Sequence, residues 1–175
     1  KSAFDGCDNV TRIEIPSSIT SLPYRVFGGC RALESVVIPS SVISIDGTAF
    51  SGCDALKKIY IEDGNPKYKS EGGIVYNSDM TTIVLCPSGI DTVVIPETVT
   101  AIGNSLFSGF KKLKSLSIPK SVTTIGSEAF CGCTALETVT ISGIETTIGD
   151  NAFSNCKKLI LTVESGSYAH NYAKT

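Results

Sequence analysis

Apolar residues recur along this chain with a long period of about 23 residues. A phenylalanine marks each period, at Phe4, Phe27, Phe50, Phe107, Phe130 and Phe153. Further apolar residues follow six, nine and eleven positions later, as Leu113, Leu116 and Ile118 follow Phe107. A period of about 20–50 residues predicts stacked structural repeats rather than a globular arrangement of unlike elements.

Each repeat predicts one short strand with a single buried face. The last two apolar positions alternate with polar or small residues, which is the period of a β-strand. Proline cannot donate to a strand ladder and is expected to end four of the strands, at Pro16, Pro39, Pro96 and Pro119. One repeat cannot bury its apolar residues alone, so stacking is expected to align the strands as a parallel sheet over one continuous core. The predicted fold is a β-rich repeat solenoid with little helix.

The repeat sequence is similar to that of a known family. Leu-x-x-Leu-x-Leu-Pro together with Ile-Gly-x-x-Ala-Phe-x-x-Cys resembles the BspA-like leucine-rich repeats, and the match covers nearly the whole chain. The resemblance implies one curved leucine-rich-repeat domain over residues 1–175, with the parallel sheet on its concave face. It also implies a cell-surface or secreted protein that is used in adhesion and host contact.

The longest interval between repeat phenylalanines predicts a β-hairpin insertion over residues 62–86. Two strand-like runs, 72–76 and 82–85, flank a turn at residues 77–79. The segment Asn65-Pro66-Lys67-Tyr68 resembles one that accompanies similar hairpins in the family. Insertions on a rigid scaffold often carry function, so both a binding role and a purely structural role are open for this hairpin.

The two ends of the chain depart from the repeat in different ways. Residues 164–175 space Ala and Tyr as a short helix does and predict a C-terminal cap, which a stack of repeats requires. The chain opens inside the pattern, at Lys1-Ser2-Ala3-Phe4, and we interpret it as a fragment of a longer protein.

The seven cysteines follow the repeat more closely than they follow any redox or metal motif. Five of them lie three residues after a repeat phenylalanine, at Cys7, Cys30, Cys53, Cys133 and Cys156. Phe110 occupies the same position in another repeat, which favours packing as free thiols over disulfides. Cys86 and Cys131 lie outside this pattern, and Cys131 is expected to be the more exposed of the two.

Charge and motifs argue against several classes of function. The chain has 15 Lys and Arg against 17 Asp and Glu, so its net charge gives no reason to bind nucleic acid. No apolar run is long enough to span a membrane. Cys131-Gly-Cys133 is too short a spacing for zinc ligands, and His170 is the single histidine. We find no catalytic or cofactor motif and predict a protein that is not an enzyme and has no metal or cofactor.

Strand alternation predicts which side chains face outward from the sheet. The outward positions of the middle repeats carry an apolar column of Val37, Tyr60 and Val94, flanked by Lys58 and Glu62. Exposed apolar residues and tyrosines are enriched at binding sites, so these five residues are the candidate ligand site. The alternative is that Val and Tyr are simply good strand residues.

The sequence therefore predicts a non-enzymatic protein-binding module of an adhesin-like surface or secreted protein, which binds through the concave sheet and the hairpin. The expected partner is a protein on a host or another surface, with a glycan as the alternative ligand, and the oligomeric state is open. Two rival functions stay open. One is a structural spacer that displays other domains, and the other, less favoured, is a hydrolase.

Overall fold

The computed structural model describes residues 3–172, without the side chain of Asn171. These residues form two compact units, one that ends at Gly89 and one that begins at Ile90. Each unit is a stack of repeats that turns about once every 23 residues, so the β-rich leucine-rich-repeat solenoid is confirmed. The single domain over residues 1–175 stays a prediction.

The first unit is built on a three-stranded parallel sheet. Its strands are β1 (Arg12–Glu14), β3 (Ser35–Ile38) and β5 (Lys58–Ile61), in the order β1-β3-β5. Equal positions of successive repeats are register partners, so Ile13 lies beside Val36, and Val36 beside Ile59. Two shorter strands, β2 (Ser21–Leu22) and β4 (Ser44–Ile45), pair in parallel on another side of the stack.

The repeat phenylalanines form an aromatic ladder through the first unit. The ring of Phe27 is stacked between Phe4 and Phe50, with centroid distances of 5.5 and 5.3 Å. The thiol of Cys30 donates a hydrogen bond to the carbonyl oxygen of Phe4 at 3.3 Å, and Cys53 donates to that of Phe27 at 3.1 Å. The cysteines thus pack as small core residues and also satisfy a carbonyl of the preceding repeat.

The insertion forms a three-stranded antiparallel sheet rather than a two-stranded hairpin. It contains β6 (Tyr68–Glu71), β7 (Ile74–Asn77) and β8 (Ile83–Leu85), with β7 in the centre. The turn between β7 and β8 was predicted, whereas β6 was missed because Lys, Ser and Glu have low strand propensity. Val75 and Leu85 are buried in the core of the first unit. The bounds of the insertion, residues 62–86, stay a prediction.

This antiparallel sheet takes the position beside β5 where the next parallel strand was expected. Ile59 N–H donates to Gly73 O at 2.9 Å, and Ile61 N–H donates to Ser70 Oγ at 2.9 Å. The parallel sheet of the first unit therefore ends at β5. The strand predicted after the insertion is reduced to a single bridge between Thr92 and Ser115.

The second unit repeats the same architecture. Its main parallel sheet contains β10 (Ser115–Ile118), β12 (Thr138–Ile141) and β14 (Ile160–Val163). A narrow parallel sheet contains β9 (Ala101–Ile102), β11 (Thr124–Ile125) and β13 (Thr147–Ile148). Phe130 is stacked between Phe107 and Phe153, at 4.9 and 5.0 Å and within 6° of parallel.

A short helix, α1 (Tyr168–Tyr172), closes the second unit and confirms the predicted helical cap. Ala169 is fully buried, and the ring of Tyr172 meets the edge of Phe153 at 6.2 Å. Ser167 Oγ accepts a hydrogen bond from the His170 N–H at 3.0 Å, which holds the first turn of the helix. Residues 173–175 of the predicted cap lie outside the described residues, as do Lys1 and Ser2 of the opening segment.

The structure leaves all seven cysteines as free thiols. Cys30, Cys53 and Cys133 are buried, and Phe110 in the equivalent position is also buried. Cys86 and Cys131, the two cysteines outside the pattern, are both half-buried. The structure therefore does not show the greater exposure that was expected for Cys131. The repeat position therefore serves as a packing position, whether Cys or Phe fills it.

Candidate functional site

The outward face of the β1-β3-β5 sheet follows directly from strand alternation. On β3 and β5, Val36, Ile38 and Ile59 turn inward and are buried, whereas the residues between them are exposed. Val37 is 54% exposed and Tyr60 is 43% exposed, and the two are register partners on neighbouring strands. Two large apolar side chains therefore stand side by side on an otherwise polar surface.

Lys58 lies on the same face of β5, two residues before Tyr60. The antiparallel sheet passes close to its backbone, since a Cβ on Gly73 would lie only 3.1 Å from Lys58 Cα and Cγ. Gly73 also has a φ of +86°, which L-residues rarely adopt. The insertion thus contacts the strand that carries Lys58 and Tyr60, and glycine is what permits the contact.

Glu62 follows the end of β5 and is held by the preceding repeat. Its Oε2 accepts hydrogen bonds from Ser40 N–H at 2.9 Å and Ser40 Oγ at 3.0 Å. These two hydrogen bonds lower the pKa of the exposed Glu62 carboxyl because they favour its charged form. The site therefore has an oriented anion at the end of the strands.

Val94 is the predicted site residue that lies outside the first unit. It belongs to the second unit, outside any strand, and is 81% exposed. Four of the five predicted residues (Val37, Lys58, Tyr60 and Glu62) lie on or next to the outward face of the first unit. The role of all five in binding stays a prediction.

A groove of about 700 Å³ runs over β1 and β3 and reaches Glu62. Its lining includes Ser35 and Val37 of β3 and the charged residues Arg12 and Glu14 of β1. The charged residues of β1 line this groove and were not among the predicted site residues. Their outward positions were visible in the repeat, but the prediction gave weight to exposed apolar residues rather than to charge.

The described residues contain no group of three His, Cys, Asp or Glu side chains arranged as a metal site requires. In the second unit, Cys133 Sγ donates a hydrogen bond to Phe107 O and Cys156 Sγ donates one to Phe130 O, both at 3.0 Å. The neighbouring thiol of Cys133 lowers the pKa of the half-buried Cys156, and the pKa of Cys133 is raised in turn. Burial raises the pKa of Cys53 to about 12, so this thiol stays protonated at neutral pH.

Comparison with known families matches the repeats over almost all of the chain. The model of the BspA type leucine rich repeat region matches residues 1–88 and 85–167, with six copies of the repeat. The chain belongs to the BspA-type leucine-rich-repeat family. No curated protein matches the sequence of this BspA-type chain.

Solved structures with similar folds are bacterial leucine-rich-repeat proteins. A leucine-rich repeat protein from Eubacterium ventriosum is 24% identical, with a TM-score of 0.64 over 87% of this chain and 54% of that one. The pneumococcal vaccine antigen PcpA is 18% identical, with a TM-score of 0.56 over 95% and 55% of the two chains. A leucine rich cell surface protein from Faecalibacterium prausnitzii is 23% identical, with a TM-score of 0.50 over 98% and 64%.

These likenesses concern the fold and only part of each neighbour. The BspA-type chain spans between 54% and 64% of the length of these three solved structures. Within residues 3–172, no helix has the length and apolar character needed to cross a membrane.

Proposed function

We propose that this chain is a non-enzymatic protein-binding module of an adhesin-like protein that is secreted or displayed at the cell surface. The observation that carries the proposal is the exposed pair Val37 and Tyr60 beside the groove of the first unit. Neighbouring apolar side chains on a sheet face are costly to leave in water and favourable to cover with a partner. Tyrosine in addition offers a hydroxyl for a hydrogen bond at the rim of a contact.

The rigid backbone beneath this pair favours binding. Val37 and Tyr60 stand on strands locked in register by the buried residues on either side of them. Preformed strands lose little conformational entropy when a partner docks, so more of the contact energy is available for affinity. Two of the structural neighbours, the pneumococcal vaccine antigen and the cell surface protein from Faecalibacterium, support a surface or secreted location.

The alternative function as a structural spacer is favoured by one observation, the burial of the insertion. Val75 and Tyr76 are at most 2% exposed, and Asn65 Nδ2 donates to Val42 O at 2.8 Å, which joins the start of the insertion to the preceding repeat. Tyr68 Oη likewise accepts a hydrogen bond from Ile45 N–H at 3.2 Å. These contacts give the insertion a structural role, and the proposed binding surface rests chiefly on the parallel sheet.

The proposal is tested with fluorescently labelled protein and cultured mammalian cells in flow cytometry. We expect binding that is lost after the cells are treated with trypsin and that falls about tenfold or more with Tyr60→Ser, as for a binding hot spot. The matched control is Tyr24→Ser, since Tyr24 is 54% exposed in the same unit but away from the sheet face.

Two results would overturn the proposal. Absence of binding, or equal binding by the Tyr60 and Tyr24 variants, would favour the spacer function. Binding that survives trypsin but falls after glycosidase treatment would replace the protein partner by a glycan.

A further inference from the structure

We propose that the groove over β1 and β3 accepts an extended polypeptide segment with an apolar and a basic side chain two residues apart. This inference rests on the proposed function and names the chemistry of its partner. It combines three features of the groove: its charge, the spacing of its residues along the strands, and the position of the opposite charges.

Carboxylates outnumber cationic groups along the groove. Glu14, Glu34 and Glu62 line it, and Arg12 is the basic residue in the lining. The carboxylate of Glu62 is oriented by its two hydrogen bonds with Ser40, so little freedom is lost when a cation approaches it. Charge complementarity therefore favours a basic side chain over an acidic one and disfavours nucleic acid.

The spacing along the strands selects an extended segment. Alternate residues of an extended chain face the same side and are about 7 Å apart. Glu62 follows Tyr60 by two residues, and Tyr60 is the register partner of Val37. A segment that runs along the groove can thus cover Val37, next to Tyr60, with an apolar side chain and bring a basic side chain two residues away to Glu62. Glu14 is the register partner of Val37 and lies level with the apolar side chain.

The amino ends of the same strands carry charges of both signs. Arg12 begins β1 and Lys58 begins β5, and Glu34 directly precedes β3. Because Arg12, the basic residue of the lining, lies at the amino end, the basic side chain of the segment is expected at the carboxyl end, at Glu62.

The test uses the labelled peptide Thr-Thr-Val-Thr-Arg-Thr-Thr, acetylated and amidated, with binding followed by fluorescence anisotropy. We expect binding that weakens at least fivefold when its Arg is replaced by Glu or its Val by Ser. The Glu62→Gln variant should weaken binding of the parent peptide by a similar factor. Glu137→Gln, an exposed carboxylate of the second unit, is the matched control and should leave the affinity unchanged.

A charge exchange makes the test specific to the groove. The Glu62→Lys variant should bind the peptide with Glu in place of Arg better than it binds the parent peptide. Circular dichroism melting of each variant separates a loss of binding from a loss of fold. Absence of peptide binding, or equal loss in the Glu62 and Glu137 variants, would overturn the inference.

The inference and the proposed function fail in different ways. If cell binding depends on Tyr60 while the peptides do not bind, the proposed protein-binding function is retained and the proposed preference of the groove for a basic segment is rejected. If the peptides bind as expected while cells are not bound, the chemistry of the groove stands and the adhesin-like function is wrong.

Discussion

The aromatic ladder makes a quantitative prediction about stability at Phe130. Its ring is fully buried and stacked on both sides, on Phe107 at 4.9 Å and on Phe153 at 5.0 Å. Phe130→Ala removes the buried ring and leaves a cavity, a change that costs about 3–5 kcal/mol. Phe130→Leu keeps most of the apolar volume but loses two ring contacts worth about 0.5–1.5 kcal/mol each, so we expect a cost of about 1–3 kcal/mol.

The matched comparison is Phe4, which occupies the same position in the first repeat. It is 51% exposed and has one stacked neighbour, Phe27, at 5.5 Å. Less burial and one ring contact predict a cost of about 1–1.5 kcal/mol for Phe4→Ala. The expected order of stability loss is therefore Phe130→Ala, then Phe130→Leu, then Phe4→Ala.

Urea denaturation followed by circular dichroism measures these differences. With a slope of about 2 kcal/mol per molar urea, a loss of about 4 kcal/mol moves the midpoint down by about 2 M. If the two units unfold in separate transitions, the shift for Phe130 should appear only in that of the second unit. A Phe130→Ala midpoint within about 0.5 M of the Phe4→Ala midpoint would refute the greater cost assigned to the buried, doubly stacked ring.

Three further substitutions and reactions test individual contacts. Glu128 has a φ of 57°, and the equivalent position of the next repeat holds Asn151. Glu128→Asn should therefore stabilise the protein by about 0.5–1 kcal/mol in urea denaturation, because asparagine adopts this left-handed conformation more readily. A loss of stability would contradict backbone strain at Glu128. Asn65→Ala should cost about 1–3 kcal/mol in the same measurement because the amide makes four hydrogen bonds to backbone groups, and an unchanged midpoint would argue against this clamp. The lowered pKa of Cys156 gives it a larger thiolate fraction near neutral pH than a cysteine with the ordinary pKa of 9.0 has. Iodoacetamide should therefore label it before Cys53, with a rate that rises through pH 7, and equal labelling in peptide mass mapping would contradict the lowered pKa.

The repeat sequence was sufficient to predict the register of the main parallel sheet in each unit. Residues 23 positions apart, such as Val37 and Tyr60, are register partners because each repeat buries the same apolar positions against the next. The outward direction of Tyr60 followed from the two-residue alternation of the strand. The turn of the insertion was also predictable, since its turn residues are local signals.

The parts of the site that the sequence did not predict depend on contacts between distant residues. The hydrogen bonds that orient Glu62 come from Ser40, in the preceding repeat. A surface serine has no pattern that marks it as the partner of a particular carboxylate.

The sequence by itself determined the repeat, the face of each strand that is buried and the chemistry exposed on the other face, because these follow from local periodicity. The tertiary structure alone decided where the parallel sheet stops. Ile59 and Ile61 donate their backbone hydrogen bonds to Gly73 and Ser70 of the insertion. Every residue except proline has the same backbone N–H and C=O groups, so side-chain pattern does not reveal which segment will take an open strand edge.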